Sequence, residues 1–370
     1  MFHTLITLSY TIPGIYLFFR IWYLFIAKKD RFRYIVIFAF LYFIYPFSNL
    51  IGENETGAVV RVLETVSGYL LPFFLYLFLS VLLTDLLLLI NLVFKILPKE
   101  TVRERRFRNR LFVGIISLSA AIVIAGIINF NTIRTSRYQV AVDGRSSEIP
   151  RLRIAFISDF HLEERIPVRV VEKFVREISV IEPDLVLFGG DIVEGGRMGN
   201  HIVKFEDILR RMETTYGVYG VMGNHDGFGR KDVESFFKKS GIVILKDSIV
   251  VKDSSFVLAG RKDSRVRDRK SAMELISAIQ DDLPVILLDH RPTEFDEISK
   301  TRADIVLSGH THHGQLFPIN LITRSVYELS YGYMKNCSAH FFVSSGIRLW
   351  GPPVRTTAKS EILVIDTTFN

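Results

Sequence analysis

Five short aliphatic runs in this chain each stop at a group that binds cations. Ile154–Ser158 leads into Asp159-Phe160-His161, and Leu185–Phe188 leads into Gly189-Gly190-Asp191. Val218–Met222 leads into Gly223-Asn224-His225-Asp226, Ile286–Leu288 into Asp289-His290, and Ile305–Ser308 into Gly309-His310-Thr311-His312. One Asp-x-His is ordinarily a satisfied loop, but successive strand ends that each deliver Asp, Asn or His form a specific signal. Such donors, with no thiolate among them, are hard to borderline ligands suited to Mn, Zn, Fe or Ni and not to Cu(I). Asp159, His161, Asp191, Asn224, His290, His310 and His312 exceed the needs of one tetrahedral ion. They suit two divalent metal cations that share a carboxylate. Such a pair, about 3.5–4 Å apart, clamps the attacking and leaving oxygens of a displacement and lowers the pKa of a bridging water. The single cysteine, Cys337, excludes an internal disulfide and any Cys-x-x-Cys site; no role is assigned to it.

The elements that must position these groups read as an α/β layered domain from Arg151 onward. RLRIAFIS, DLVLF, YGVYGVM, PVILLD, DIVLSG and EILVID are strand-like. Helical patterns lie between them from about Pro167, around Val203–Met212, over Asp232–Lys239 and after Pro292. SIVVKD and SSFVLAG follow each other without a helix, which predicts a mixed sheet or β-sandwich over a purely parallel sheet. In α/β sheets the rim at the strand ends is where ligands bind, and the glycines before Asp191, Asn224 and His310 let the backbone turn sharply there. Residues 261–270 (RKDSRVRDRK) read as a solvated surface loop. His313 is expected to point away from its neighbour His312, and His201 and His340 to be structural or on the surface. Asp289 reads equally as a group supporting His290 or as a solvated turn acid. Trp350-Gly351-Pro352-Pro353 reads as a rigid loop at the mouth of the site, with core packing the expectation for Trp350 itself.

The ordered set Asp159-x-His161, Gly190-Asp191, Gly223-Asn224-His225-Asp226, His290 and Gly309-His310-x-His312 resembles the calcineurin-like metallophosphoesterases. The resemblance covers about residues 151–366 and implies a four-layer β-sandwich flanked by helices. It implies one metal held by Asp159, His161, Asp191 and His312, and a second held by Asp191, Asn224, His290 and His310, with Asp191 bridging. It also implies catalytic roles: His225 protonates the leaving oxygen or orients the phosphate, and Asp226 orients His225. Ser158-Asp159-Phe160-His161-Leu162 is similar to a membrane-associated branch that includes lipid-precursor pyrophosphatases. An enzyme of that branch carries Arg after the Gly-Asn, where this chain has His225, and the departure favours a broader phosphodiesterase branch.

The first 130 residues are a different material. Leu5–Ala27, Tyr34–Ile51, Gly68–Phe94 and Leu111–Phe130 are each near the length that crosses about 30 Å of hydrocarbon, which predicts an all-α, four-helix transmembrane region. The first lacks the basic leader and the small-residue cleavage site of a removable signal. The expected organisation is a four-span anchor over 1–130, a linker over 131–150 and a catalytic domain over 151–370. With 49% hydrophobic residues, 30 Phe and 14 Tyr, disorder, collagen and low complexity are excluded, and the net charge is +7. Residues 1–130 hold 13 Lys and Arg against 7 Asp and Glu, whereas the remainder holds 33 against 32. The excess base therefore flanks apolar runs, and nucleic acid is not an expected partner. Loop 28–33 carries 4 bases and loop 95–110 carries 7, while loop 52–67 carries only Arg61. Basic loops stay cytoplasmic, so both termini and the catalytic domain are expected outside it, in a multi-pass cell-membrane protein. Arg105-Arg106 reads as ordinary positive-inside charge and not as a twin-arginine export signal. Two charges fall within the spans, Arg20 and Asp85. They form either an ion pair between helices or, separately, a snorkelling arginine and an acid lining a wet crevice.

The expected function is a membrane-anchored, metal-dependent hydrolase. It cleaves a phosphodiester or a lipid-linked pyrophosphate by direct attack of metal-bound hydroxide, with no covalent enzyme intermediate. A phosphomonoesterase on nucleotides or proteins, and a non-catalytic membrane sensor with a metal-binding ligand domain, are the alternatives. The His225-Asp226 pair speaks against a sensor, which has no use for a leaving-group acid.

Overall fold

The computed structural model describes every residue except Met1, 53–56, 196–198 and 200–201, and describes no side chain at 2–8, 49, 52 or 58. The expectation for His201 therefore lies outside the described residues. The chain divides into two compact units, Met1–Ile128 with Gly351–Thr356, and Asn129–Trp350 with Thr357–Asn370.

The first unit is helical, with α1 Phe2–Phe25, α2 Arg31–Gly52, α3 Ala58–Phe94, α4 Lys99–Arg103 and α5 Arg105–Asn131. Three stretches among the described residues, Lys28–Ser48, Val59–Phe94 and Arg105–Asn131, are long and apolar enough to cross a membrane. The first expected span lies in α1, whose side chains before Ser9 are not described. Leu17, Ile21, Phe74, Leu77, Val81 and Ile115 form the interior of this unit. Phe40, Phe43, Leu92, Val93 and Phe94 point outward. That pattern is costly against water and natural against hydrocarbon. Of the two arrangements open for Arg20 and Asp85, the ion pair is the one formed. Arg20 Nε donates to Asp85 Oδ2 at 2.7 Å, and the Tyr16 hydroxyl donates to the same carboxylate. Segment Gly351–Thr356 packs among these helices: Arg355 N donates to Gly126 O at 3.1 Å, and the Tyr76 and Thr356 hydroxyls pair.

The second unit begins with β1 Ile133–Val142 and β2 Arg151–Ile157, followed by α6 Val168–Ile181, β3 Leu185–Gly189, α7 Ile202–Leu209 and β4 Val218–Val221. Next come α8 Lys231–Ser240, β5 Val243–Ile244, β6 Ser248–Lys252, β7 Phe256–Gly260, α9 Ala272–Ile276, β8 Val285–Leu288, α10 Phe295–Ile298 and β9 Ile305–Ser308. The chain ends with α11 Ile319–Val326, β10 Gly332–Asn336, β11 Ala339–Val343 and β12 Ser360–Phe369. Two six-stranded mixed sheets result, in the orders β1-β12-β2-β3-β4-β5 and β10-β11-β9-β8-β7-β6.

Period-2 alternation makes four layers of this. Ile154, Phe156, Leu185, Leu187 and Val221 of one sheet meet Leu258, Ile286, Leu288, Ile305 and Leu307 of the other. The alternate residues face helices: Ala155, Ile157, Val186 and Phe188 meet Val171, Phe174, Val175 and Ile178 of α6, spaced as one helix face demands. On the far side Val257, Val285, Leu287 and Phe341 meet Leu275, Ile276 and Phe295. Strands covered on both faces read as continuous apolar runs, which is why they were legible. Truncating a residue such as Phe156 to Ala would cost roughly 3–5 kcal/mol.

Two expectations are corrected. Residues 131–150 are not all linker, because β1 pairs in parallel along its whole length with β12. Its inward positions include Ser136 beside Val140 and Val142, and its outward ones carry Arg134 and Arg137, so the alternation was masked. Residues 261–270 are a surface loop only in part, with Ser264, Arg265, Arg267, Asp268 and Lys270 exposed. Arg261 is buried and donates to Asp289 at 2.7 Å and Glu294 at 2.9 Å, and Arg269 reaches Asp289 at 2.6 Å. Two arginines of the run are drawn inward by Asp289, itself buried, which is thereby no solvated turn acid.

Candidate metal centre

The C-terminal ends of β2, β3 and β4 in one sheet and of β8 and β9 in the other converge at one rim. Asp159, His161, Asp191, His310 and His312 all adopt left-handed backbone conformations, with φ between 48° and 70°. Such non-glycine conformations are strained and cluster where geometry serves chemistry. Main-chain bonds hold the loops together: His161 N donates to Asp191 O at 2.9 Å, and Asp159 N to Gly190 O at 3.0 Å.

Three groups of buried or half-buried side chains could hold an ion: His161, Glu194 and His225, and the two clusters on which the site is built. In Asp159, His161 and His312, and again in Asp191, His290 and His310, the donor atoms of each trio lie within 4.8 Å of one another. Asp191 Oδ2 sits 3.2 Å from His290 Nε2 and 3.9 Å from His161 Nε2, so it faces both clusters, while Oδ1 accepts from His225 N at 2.8 Å. His290 donates Nδ1–H to Gly189 O at 2.8 Å, and His161 Nδ1 bonds Glu194 Oε1 at 2.6 Å. Each contact turns the ring's Nε2 inward, the usual way a protein aims a ligand imidazole. The Nε2 atoms of His161 and His312 approach to 3.3 Å, a contact that a proton on one ring or a shared cation would satisfy. A Cβ on Gly223 would lie 2.3 Å from Asp191 Oδ1 and 2.6 Å from His290 Nε2, so only glycine leaves the cradle open. The oxygen and imidazole donors therefore fit divalent cations. The amide oxygen of Asn224 accepts from Arg291 Nη2 at 3.2 Å, which keeps it at the same rim.

Crowding pulls the proton affinities apart. Burial pushes the Asp159 carboxyl up, whereas Asp191 is held well below the usual range because His290 outweighs its burial. Burial opposes charge on His290, yet Asp191 and Asp159 lift it to about 10; His310 is pushed down to about 3 by burial and by His290. Divergence of this kind is a mark of functional sites.

His225 and Asp226 are placed differently from each other. The His225 ring stacks at 6.1 Å on Trp350, and its Nδ1 lies 3.2 Å from Glu194 Oε2. Asp226 is buried with its carboxylate on main-chain donors, Val193 N at 2.8 Å and Gly223 N at 2.7 Å. It ties two ligand loops together, and the ring of His225 is oriented instead by Glu194. Burial pushes Asp226 up to about 7, while the His161 and His225 contacts overcome burial and pull Glu194 down to about 2. Glu194 escaped the sequence reading, although an acid three residues beyond Asp191 was its signal. Arg291 escaped too, next to His290 and bound to Asp263 at 2.8 Å. Trp350 is no core residue, being 42% exposed against His225. His313 turns away to Ser330 Oγ at 3.1 Å, and His340 pairs with the Tyr333 hydroxyl at 2.9 Å.

Residues 152–314 match the family model of calcineurin-like phosphoesterases. This segment is a calcineurin-like phosphoesterase domain. A Helicobacter pylori protein named an uncharacterized metallophosphoesterase is 32% identical over 218 residues, 57% of this chain and 58% of its own length. A Campylobacter jejuni protein of the same description is 29% identical over 259 residues, covering 66% of this chain and 68% of the relative. A zebrafish (Danio rerio) transmembrane protein with metallophosphoesterase domain is 27% identical over 283 residues, 71% of this chain and 64% of the relative. The chain thus spans just under three fifths of the Helicobacter protein. Within the phosphoesterase domain the two ligand clusters and His225 share the rim at the strand ends.

Proposed function

We propose that the chain is a membrane-anchored hydrolase that cleaves phosphoesters with two divalent metal cations, one in each cluster. The observation carrying this reading is Asp191 Oδ2, which faces a histidine of each cluster at 3.2 and 3.9 Å. Asp159, His161 and His312 would hold one ion and Asn224, His290 and His310 the other, with Asp191 common to both. When bound, the ions would supply Lewis-acid polarisation of the phosphoryl group and an activated water. His225 donates a proton to the leaving oxygen. Glu194 fixes its ring through Nδ1 and leaves Nε2 for that donation. Trp350 covers one face of the imidazole, and Arg291, beside Asn224, offers positive charge to the phosphate.

The substrate class proposed is a phosphodiester or lipid-linked pyrophosphate, since helices of membrane-crossing length keep the domain near headgroups. The basic loops 28–33 and 95–110 support a multi-pass topology with the domain outside the cytoplasm. A reporter that fluoresces only in the cytoplasm, fused after Asn370, should stay dark, and a bright fusion rejects this orientation. Purified full-length protein with added Mn²⁺ should hydrolyse bis(p-nitrophenyl) phosphate faster than p-nitrophenyl phosphate. The reverse preference would make it a monoesterase, and no turnover of either would leave a metal-binding sensor.

A further inference from the structure

Helix α11 is the anomaly of the phosphoesterase domain, because it buries none of its residues. Leu321 is 53% exposed, Ile322 61% and Val326 67%, and Phe317 just before the helix is 50% exposed. At 100° per residue, Ile319, Leu321, Ile322 and Val326 occupy one arc of about 160°, interrupted only by Ser325, while Asn320, Thr323 and Arg324 fill the opposite side. From Gln315 to Tyr327 there is no acidic residue and one base, Arg324.

Both ends of this helix rest on the metal-binding motif. A Cβ on Gly314 would lie 2.4 Å from Asn320 N, so the first turn is seated directly on the turn that follows His312. At the other end the ring of Tyr327 lies 6.3 Å from that of His310. An exposed apolar face is therefore fixed to two residues of the site.

We propose that α11 is an interfacial helix, lying in the headgroup–acyl boundary of a bilayer and holding the metal centre where it takes phosphoesters borne by lipids. The proposal rests on the hydrolase reading above and names its substrate surface. The occupant follows from chemistry and connectivity. Aliphatic residues on one arc, a lone arginine and no acid match a lipid surface. The chain already carries helices of membrane-crossing length, and α5 ends at Asn131, one residue before β1 begins at Ile133. A bilayer is thus always within reach of this domain. A second copy fits less well, since eight residues of helix span about 12 Å and fall far short of the roughly 1,200–2,000 Å² a stable interface buries.

The test uses the full chain with Cys337→Ser, reconstituted in phosphatidylcholine–phosphatidylglycerol vesicles. A bimane probe on Ile322→Cys should shift to the blue and be quenched by doxyl-labelled lipid at least twofold more than a probe on Arg324→Cys. Equal quenching overturns the proposal, and a disulfide between two Ile322→Cys chains without lipid quenching assigns the face to a second copy instead. Leu321→Asp with Ile322→Asp should lower kcat/KM tenfold or more for hexadecyl p-nitrophenyl phosphate carried in the vesicle, and leave bis(p-nitrophenyl) phosphate untouched. Equal losses on both substrates make α11 merely structural and also overturn the proposal. Inactivity of the unsubstituted chain on the soluble diester would reject the hydrolase reading alone, since the quenching result decides the helix independently.

Discussion

The two units of this chain treat charge and apolar surface in opposite ways. In the helical unit large aliphatic and aromatic side chains point outward, and the charges set deep in the helices are one pair, Arg20 with Asp85, closed by Tyr16. In the phosphoesterase domain the apolar strands are sealed on both faces, yet Asp159, His161, Asp191, His290 and His312 are buried together at one rim. A hydrocarbon solvent tolerates exposed leucine and demands a partner for each charge. A β-sandwich seals the leucines of its strands, and buried ionisable groups in it are either paired with each other, as Arg261 is with Asp289, or gathered where a cation or substrate would complete them. The contrast teaches which substitutions should touch chemistry and which should touch the fold.

The largest effect is expected at Asp191. Asp191→Asn keeps an oxygen acceptor for His225 N and the side-chain volume, but removes the charge that faces both clusters. Activity should fall by roughly 10³-fold or more. Metal content by elemental analysis should fall further than in His161→Ala, which touches one cluster, while the melting temperature of the domain stays close to that of the parent. A full metal complement in the Asn variant would break the shared-ligand reading.

Next comes His225, where metal binding and proton transfer separate. His225→Ala should keep both ions and lose roughly 10²–10⁴-fold in rate on esters with an alkoxide-like leaving group. The loss for a p-nitrophenolate leaving group, which departs without a proton, should be clearly smaller. Equal losses across leaving groups would leave His225 as an electrostatic clamp.

How much of this was legible depended on which periodicity survived. Strands β2, β3, β4, β8 and β9 could be read because burial on both faces makes them unbroken apolar runs, and the residues just beyond their ends then named the candidate ligands. Strand β1 could not, because Ser136 stands among its inward residues and arginines among its outward ones. The ring partner of His225 was misread as well. The resemblance implied Asp226, but its carboxylate is taken up by main-chain donors, and the carboxylate that reaches the ring comes from the loop after β3, at Glu194. The short α11 was invisible because an amphipathic pattern does not say whether its apolar arc meets a core.

Glu194 sharpens the comparison at smaller amplitude. Glu194→Gln should cost roughly 10-fold in rate, the order expected for a group that orients another. It also carries a sign. Burial lowers the proton affinity of His225, and the Glu194 and Asp191 charges more than offset that, leaving the ring raised. Neutralising Glu194 removes part of the raising influence, so the ring loses its proton at lower pH. A general acid works only while protonated; the alkaline limb of the pH–rate profile should therefore move to lower pH in the Gln variant. An unmoved limb with reduced rate would mean that Glu194 serves only His161.

The smallest effect on chemistry is expected in the helical unit, and it tests the comparison from the other side. Asp85→Asn leaves Arg20 without its counter-charge, which is costly for a charge set among apolar helices. Polar contacts inside membranes contribute modestly, so the expected loss is about 1–2 kcal/mol, read as a drop of a few degrees in the unfolding of the detergent-solubilised chain. Turnover of a soluble diester should not change, because no residue of the metal-binding rim is altered. Arg20→Met with Asp85→Leu should recover the stability, since removing both members leaves no charge to desolvate. If the single variant instead abolished turnover with its thermal stability intact, the pair would belong to the chemistry, and the division between a paired structural charge and a gathered catalytic set would fail.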